Sequence, residues 1–174
     1  MKYAELKTLF DEKTIENRIQ ELGKRIHDDY QGKELVAIGI LNGAFIFMAD
    51  LVRAIDFTVQ CEFMAVSSYH DQKVSSGKID LRLDVDPKKI KGKHVLLIED
   101  IVDTGKSIHF LMNHLEKYEP ASLKICALLF KEKMLQEKVT LDYLGFAIDP
   151  VFVVGYGLDY AGKYRNYPEV AIHQ

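Results

Sequence analysis

A run of four aliphatic residues followed directly by two acids constrains this chain more than any other feature of its sequence. Residues 95–98 are all apolar, which is typical of a strand buried on both faces of a parallel sheet. Glu99 and Asp100 follow at once, and apolar residues at helical spacing begin at Ile108. Because open α/β sheets bind ligands at the carboxyl ends of their strands, the turn between this strand and the helix is the predicted ligand site.

The turn reads Asp-Thr-Gly-Lys-Ser, a composition that suits a phosphate. Backbone N–H groups at the start of a helix are unpaired and carry the positive end of the helix dipole, so they favour an anion. Gly105 lets the backbone approach closely, and the hydroxyls of Thr104 and Ser107 are further donors. We therefore predict a phosphate site made of Asp103, Thr104, Gly105, Lys106 and Ser107.

A nucleoside-triphosphate P-loop is the obvious rival, because residues 105–107 match its last three positions. That pattern also needs a glycine five residues before Gly105, where Asp100 stands. Two acids would also repel a triphosphate in the same loop. A better ligand has one phosphate for the turn, neutral hydroxyls for the acids and a metal bridging to further negative groups. Ribose 5-phosphate with a metal-bound pyrophosphate meets all three requirements.

Residues 95–107 resemble the phosphoribosyl pyrophosphate (PRPP) motif of type I phosphoribosyltransferases, and the chain as a whole resembles the hypoxanthine-guanine phosphoribosyltransferases. The alternative is an ordinary strand–helix turn with solvated acids and no ligand. The resemblance implies an α/β fold with a parallel-sheet core, a small hood and a flexible lid hairpin, in one domain over residues 1–174. The core spans about 11–148, the hood takes the N-terminal segment and about 150–174, and the lid is about 67–78.

The implied reaction transfers ribose 5-phosphate from PRPP to hypoxanthine or guanine, which gives IMP or GMP plus pyrophosphate, with Mg²⁺ as cofactor. Asp103 is implied as the catalytic base or hydrogen-bond acceptor at purine N7. Glu99 and Asp100 are implied to hold the ribose hydroxyls, directly or through metal-bound water. The implied metal site contains Glu99, Asp100 and Asp159.

A second apolar run, residues 35–41, ends at Asn42 and Gly43, which alone is weak evidence for a site. In the family, the matching loop grips pyrophosphate with backbone amides, often through a non-proline cis peptide. The candidate bond here is Leu41–Asn42. The family often has lysine where this chain has Asn42, so the expected contacts here come from the backbone of the loop. Pyrophosphate binding is thus implied for Asn42, Gly43 and Arg165.

A long polar loop follows a segment, residues 57–65, with alternating apolar positions, and precedes another, residues 79–85. Loops of this length are usually functional or disordered, and a surface loop with no role is the alternative. The resemblance makes it the catalytic lid, with Ser68 and Tyr69 matching the family's Ser-Tyr pair. A lid is useful because a sugar cation would otherwise be captured by water.

Purine recognition is implied for residues near the ends of later strands. Lys131 ends the apolar run 123–130, and its ammonium can hydrogen-bond the purine O6, although such a lysine is usually solvated. Residues 132–140 are charged and are expected at the surface, and two short strands are expected at 146–148 and 151–157. The family pattern implies purine stacking on Phe152, backbone contact at Val153, and Asp159 near the base.

Composition bounds the remaining possibilities. The 174 residues are 48% hydrophobic, enough for one core, and the net charge of −3 gives no basic field for nucleic acid. No apolar run reaches the ~20 residues of a membrane span. Cys61 and Cys126 lie in apolar segments and are expected to be buried and reduced. A cytoplasmic protein follows, without membrane or nucleic-acid partners, and the resemblance adds a homodimer or homotetramer.

Two alternative functions remain open. PRPP-sensing regulators that bind RNA or DNA share the same loop, but no Lys/Arg cluster of the expected kind is present. A phosphoribosyltransferase for xanthine or a pyrimidine is the second alternative, because Lys131 and Phe152 favour a 6-oxopurine without choosing between purines.

Overall fold

The computed structural model describes residues 6–68 and 79–173 of the chain. Over these residues the strands are β1 (Leu6–Phe10), β2 (Leu35–Leu41), β3 (Gln60–Ser68), β4 (Ile79–Leu83), β5 (His94–Val102), β6 (Ser122–Phe130), β7 (Tyr143–Ala147), β8 (Val153–Val154) and β9 (Val170–His173). The helices are α1 (Glu12–Tyr30), α2 (Phe45–Arg53), α3 (Pro87–Ile90) and α4 (Lys106–Glu116). Glu132–Met134 form a short 3₁₀ helix.

Six strands form the main sheet, in the order β4-β3-β2-β5-β6-β7. All neighbours are parallel except β4, which pairs antiparallel with β3 at one edge. Side chains of β5 alternate between two cores: Leu96 and Ile98 pack with α1 and α2, and Val95 and Leu97 pack with α4. Helices cover both faces, which explains why the central strands are continuously apolar. The predicted parallel α/β core is confirmed.

A second sheet of three antiparallel strands, in the order β1-β9-β8, lies outside the main sheet and is called the small sheet below. Both ends of the described chain meet in it, since Thr8 pairs with Ala171. The Phe10 ring stacks on Phe146 of β7, with ring centroids 4.0 Å apart, and so joins the two sheets. The division into core, hood and lid stays a prediction.

The bounds of some helices and strands differ from those expected from the sequence. Residues 11–30 carry Ile15, Ile19, Leu22 and Ile26 on one face, a spacing that predicts an amphipathic helix with Asp11 as its N-cap. This prediction is confirmed, since α1 starts at Glu12 and the Asp11 side chain accepts from the Thr14 N–H. The strand expected at 57–65 runs over 60–68, because pairing with β2 begins at Gln60. The strand expected at 151–157 shrinks to two residues, because residues 155–157 all have positive φ. Cys126 is buried as expected, whereas the expectation for Cys61 is wrong, since it is exposed.

None of the helices in the described residues is long and apolar enough to cross a membrane.

The carboxyl ends of β2, β5 and β6 lie side by side, because these three strands are consecutive neighbours in the sheet and run parallel. The loops that follow Leu41, Val102 and Phe130 therefore meet at one edge of the sheet.

Candidate active site

A cavity of about 190 Å³ lies at this edge. Its walls include Glu99, Asp103, Thr104, Gly105 and Ser107, together with apolar residues from β2 and β3. A larger groove of about 650 Å³ runs between α1, α2 and residues 166–168, and it contains none of the predicted site residues that the structure describes. The smaller cavity is therefore the candidate active site.

The predicted phosphate turn connects β5 to α4 as a tight bend. Gly105 has φ of +80°, in the left-handed region that favours glycine, and it is the residue immediately before α4. No side chain of the described chain caps this helix, so its first N–H groups remain available as donors for an anion.

Residues 135–139 pack against this turn and fix its position. The N–H groups of Gln136 and Glu137 donate to the Thr104 carbonyl, at 2.9 and 3.1 Å. A methyl group at Gly105 would lie 2.8 Å from the Glu137 carbonyl oxygen and 2.9 Å from Val139 Cγ2. Residues 132–140 lie at the surface as expected, since none of them is buried. The packing of their second half against the turn was not expected, and the apolar residues Leu135 and Val139 within the charged stretch were the sequence signal for it.

The two acids lie inside β5 and are not solvated, so the alternative of an ordinary turn with hydrated acids is wrong. Glu99 is 9% exposed and Asp100 is 8% exposed. Burial, then the neighbouring Asp100 charge, raises the pKa of Glu99 well above its usual value. Burial also raises the pKa of Asp100, against the opposing effects of a hydrogen bond with Glu99 and the charge of Arg165. Glu99 Oε2 is buried without a hydrogen-bond partner among the described residues.

Asp103 and Lys131 form an ion pair across the cavity edge. Lys131 Nζ lies 3.3 Å from Asp103 Oδ2, and the lysine is 9% exposed. The Lys131 N–H donates to the Val102 carbonyl at 2.9 Å, which fixes the lysine beside the turn. Asp103 Oδ1 is buried and has no partner in the described part of the chain. A solvated lysine, the usual case at such a position, is therefore excluded here.

The loop after β2 packs directly on the acids. The Leu41–Asn42 peptide bond is cis. A methyl group at Gly43 would overlap the Asp100 carboxylate, so glycine is needed for this approach. The structure thus places Gly43, Asp100 and Glu99 in one cluster at the sheet edge.

Arg165 and Asp159 pair with each other in the segment before β9. Arg165 Nη2 lies 2.8 Å from Asp159 Oδ1, and Arg165 Nη1 donates to the Gly157 carbonyl at 2.6 Å. Within residues 6–68 and 79–173, no three His, Cys, Asp or Glu side chains form a group that could hold a metal by themselves. Asp159 therefore does not complete a three-carboxylate site with Glu99 and Asp100.

The predicted stacking residue lies on the small sheet. The Phe152 side chain is 51% exposed, and its ring meets Tyr160 and His173 edge-to-face, at 5.7 and 6.1 Å between centroids. Val153 is buried at the start of β8. Ser68 is the last residue of β3. Tyr69 and the rest of the predicted lid up to residue 78 lie outside the described residues.

Comparisons with known proteins agree with this geometry. The family model described as "Phosphoribosyl transferase domain" matches residues 5–161. A hypoxanthine-guanine phosphoribosyltransferase of Dictyostelium discoideum is 46% identical over 164 residues, 92% of this chain and 91% of that protein. The Bacillus subtilis protein of the same name is 40% identical over 172 residues, 99% of this chain and 95% of its own.

Among solved structures, the hypoxanthine phosphoribosyltransferase of Trypanosoma cruzi in complex with IMP superposes with a TM-score of 0.91 at 39% identity. The match covers 99% of this chain and 96% of that one. The chain therefore belongs to the phosphoribosyltransferase family and, within it, to the hypoxanthine-guanine phosphoribosyltransferases.

Proposed function

We propose that this chain is a purine salvage enzyme that transfers ribose 5-phosphate from PRPP to hypoxanthine or guanine, giving IMP or GMP plus pyrophosphate. The observation that carries the proposal is the arrangement at the end of β5. A turn with uncapped N–H donors, the buried Glu99 and Asp103 line one cavity, and Asp100 and Lys131 lie directly beside these two acids. The names of the relatives and the T. cruzi complex with IMP support the same reaction.

The ribose 5-phosphate part of PRPP binds along β5 and its turn. The 5′-phosphate accepts from the N–H groups of Thr104, Gly105, Lys106 and Ser107, and from the two hydroxyls among them. The ribose hydroxyls donate to Glu99 and Asp100. This pairing gives the otherwise unpartnered Glu99 Oε2 a donor and relieves the crowding of two buried carboxyl groups.

Mg²⁺ is the proposed cofactor, and the residues at the site fit it. The cation usually takes one or two protein carboxylates and completes its shell with water and substrate phosphates, and Glu99 and Asp100 supply two such groups. When bound, it neutralises charge on the pyrophosphate as that group departs. Asp159, which pairs with Arg165, would contact water bound to the cation.

The leaving pyrophosphate is received by the loop after β2 and by Arg165. Backbone N–H groups at Asn42 and Gly43 donate to it, and the guanidinium offsets its growing negative charge. The ion pair with Asp159 and the hydrogen bond to the Gly157 carbonyl fix the orientation of Arg165.

The purine lies between Lys131 and the small sheet. Lys131 donates to O6, Phe152 stacks on the ring, and the Val153 backbone contacts the base edge, with Asp159 nearby. Asp103 accepts the N7 hydrogen bond or proton, which raises electron density at the attacking N9. Ser68 and Tyr69 belong to the lid that excludes water during transfer.

The first test is a spectrophotometric assay of the purified protein with PRPP, Mg²⁺ and each of hypoxanthine, guanine, xanthine, adenine and uracil. We expect turnover with hypoxanthine or guanine and little with the other bases. Turnover with xanthine or uracil alone would overturn the choice of acceptor. A cytoplasmic location and a homodimer or homotetramer remain predictions of the family resemblance.

Asp103→Asn tests whether Asp103 is the acid–base group of the reaction. The variant should lose about 10²–10⁴-fold in kcat, the usual contribution of a placed acid–base group, while the KM for PRPP changes little. Asp149→Asn is the matched control, because Asp149 is an exposed acid whose side chain pairs with Lys133. Unchanged turnover in Asp103→Asn removes this residue from the mechanism.

A further inference from the structure

The proposed pyrophosphate site has two halves on different elements, the loop before α2 and the Arg165 segment before β9. The geometry points to Tyr156 and Asp50 as a positioning pair that fixes the position of these two halves relative to each other. Neither residue touches a substrate in this proposal, which rests on the proposed function and adds two residues that act through the backbone.

The pair is a buried hydrogen bond between the halves. The Tyr156 hydroxyl donates to Asp50 Oδ2 at 2.5 Å, and Tyr156 is 6% exposed. Asp50 lies in α2, the helix that begins directly after the Asn42–Gly43 loop. Burial and the Asp50 carboxylate raise the pKa of Tyr156, so its hydroxyl stays protonated as a donor over the working pH range.

The neighbour of Tyr156 makes the contacts that reach the site. A methyl group at Gly157 would overlap the Gly43 carbonyl oxygen, so the two backbones touch. The Gly157 carbonyl accepts from Arg165 Nη1 at 2.6 Å, and the Gly157 N–H donates to the Arg165 carbonyl at 3.0 Å. The position of Gly157 thus sets both the Arg165 side chain and the loop around Gly43.

The backbone at this point needs an external support. Tyr156 has φ of +50°, a left-handed conformation that a non-glycine residue adopts where its surroundings hold it. Its N–H donates to the Tyr167 carbonyl at 2.7 Å, and its hydroxyl reaches Asp50. The hydroxyl contact is a side-chain link from this bend to α2, and it adds to the direct backbone contact between Gly157 and Gly43.

Tyr156→Phe keeps the ring and removes the hydroxyl, so it tests the link directly. We expect the KM for PRPP, and the KM for pyrophosphate in the reverse reaction with IMP, to rise about tenfold, equivalent to about 1.4 kcal/mol. The KM for the purine should stay within about twofold, because Lys131 follows β6 of the main sheet and Phe152 is held by the His173 N–H of β9. Equal increases for purine and PRPP would show a general structural defect and overturn the proposal.

Tyr143→Phe is the matched control. Tyr143 is also buried and also donates to an aspartate at 2.5 Å, but its partner is Asp29 of α1. Both variants lose a similar buried bond, so both should lower the unfolding temperature. Only Tyr156→Phe should change the KM for PRPP and pyrophosphate, and the same KM values in both variants would contradict the inference.

Substitutions at Asp50 complete the test. Asp50→Asn keeps an oxygen that accepts from Tyr156 and should remain close to wild type, whereas Asp50→Ala should reproduce the rise in KM of Tyr156→Phe. Full activity of Asp50→Ala would overturn the proposal. A wild-type protein without transferase activity would instead refute the proposed function, so the two failures are distinguishable.

Discussion

Glu99 and Asp100 place two carboxyl groups side by side in a buried strand, an unfavourable arrangement until a ligand binds. An unfolded glutamate releases its proton near pH 4.5, while the folded protein holds the Glu99 proton to higher pH. Above pH 4.5 the folded state therefore binds more protons than the unfolded state. It follows that stability declines as pH rises through the folded pKa of Glu99.

Glu99→Gln should remove this penalty. Without ligands, we expect the variant to unfold at a higher temperature than wild type at pH 8, because burial disfavours the charged carboxylate of Glu99 in the folded protein. The difference should shrink as pH falls toward 4.5, and transferase activity should be lost at every pH. Thermal unfolding across a pH series measures the stability difference. Activity assays at increasing PRPP concentration measure the loss of transferase activity.

Glu116→Gln is the control for this series, because Glu116 is exposed on the last turn of α4. Its stability difference from wild type should stay small and nearly flat with pH. A flat difference for Glu99→Gln as well would show that burial of this carboxyl is not the source of the effect.

Lys131→Gln should weaken the preference for 6-oxopurines. Loss of a charged hydrogen bond to O6 is worth about 1.5–3 kcal/mol, so kcat/KM for hypoxanthine should fall about 10–150-fold. The activity with adenine should not fall in parallel. Lys133→Gln, two residues further, is the control, since its exposed ammonium pairs with Asp149. An unchanged ratio of hypoxanthine to adenine activity in Lys131→Gln would refute the O6 contact.

At the residue scale, the sequence predicts those site residues that follow one another in the chain. Residues 99–107 follow one another in the chain, so their shared position at the end of a strand could be read directly from the pattern. The Asp103–Lys131 pair and the Tyr156–Asp50 bond join positions 28 and 106 residues apart. No spacing rule predicts such pairs, because they depend on which strands become neighbours and on how loops pack afterwards.

At the element scale, the phosphate turn depends on a second segment for its shape. Residues 135–139 donate two N–H groups to the Thr104 carbonyl and pack against Gly105. The turn is thus fixed on one side by α4 and on the other by this segment. Preorganised donors bind an anion without further ordering of the backbone, which favours tight binding of the 5′-phosphate.

Gly105→Ala should disturb this arrangement in two ways. Its left-handed φ costs about 1 kcal/mol for alanine, and the added methyl meets the Glu137 carbonyl at 2.8 Å, so the segment must shift. We expect lower stability and a several-fold higher KM for PRPP. Gly92→Ala is the control, because φ there is +72° but nothing lies within 4 Å of the new methyl. If both variants have the wild-type KM, residues 135–139 do not position the turn.

Elements with strong periodicity were predictable, and short ones were not. The buried strands β2, β5 and β6 and the amphipathic helix α1 were expected at nearly their observed positions. Strands β1 and β9 were missed, because each has five residues or fewer and is stabilised by the other across the whole length of the chain. Local pattern carries no information about such a pairing.

At the scale of the whole molecule, both ends of the described chain build the small sheet that carries the proposed purine platform. β9 pairs with β1 on one side and with β8, which follows Phe152, on the other. The His173 N–H donates to the Phe152 carbonyl at 3.1 Å. The position of Phe152 therefore depends on how the small sheet is anchored to the main sheet, and the Phe10–Phe146 stack is one such anchor.

Phe10→Ala should loosen this anchor. Removing a ring stacked at 4.0 Å should lower the unfolding free energy by about 2–3 kcal/mol, less than for a fully buried phenylalanine because Phe10 is half-buried. The KM for hypoxanthine should rise several-fold, and the KM for PRPP should stay near wild type, because the phosphate turn belongs to the main sheet. Phe57→Ala is the control, since Phe57 is also half-buried but packs near His27 on α1. Similar purine KM values in the two variants would show that the stack contributes stability alone.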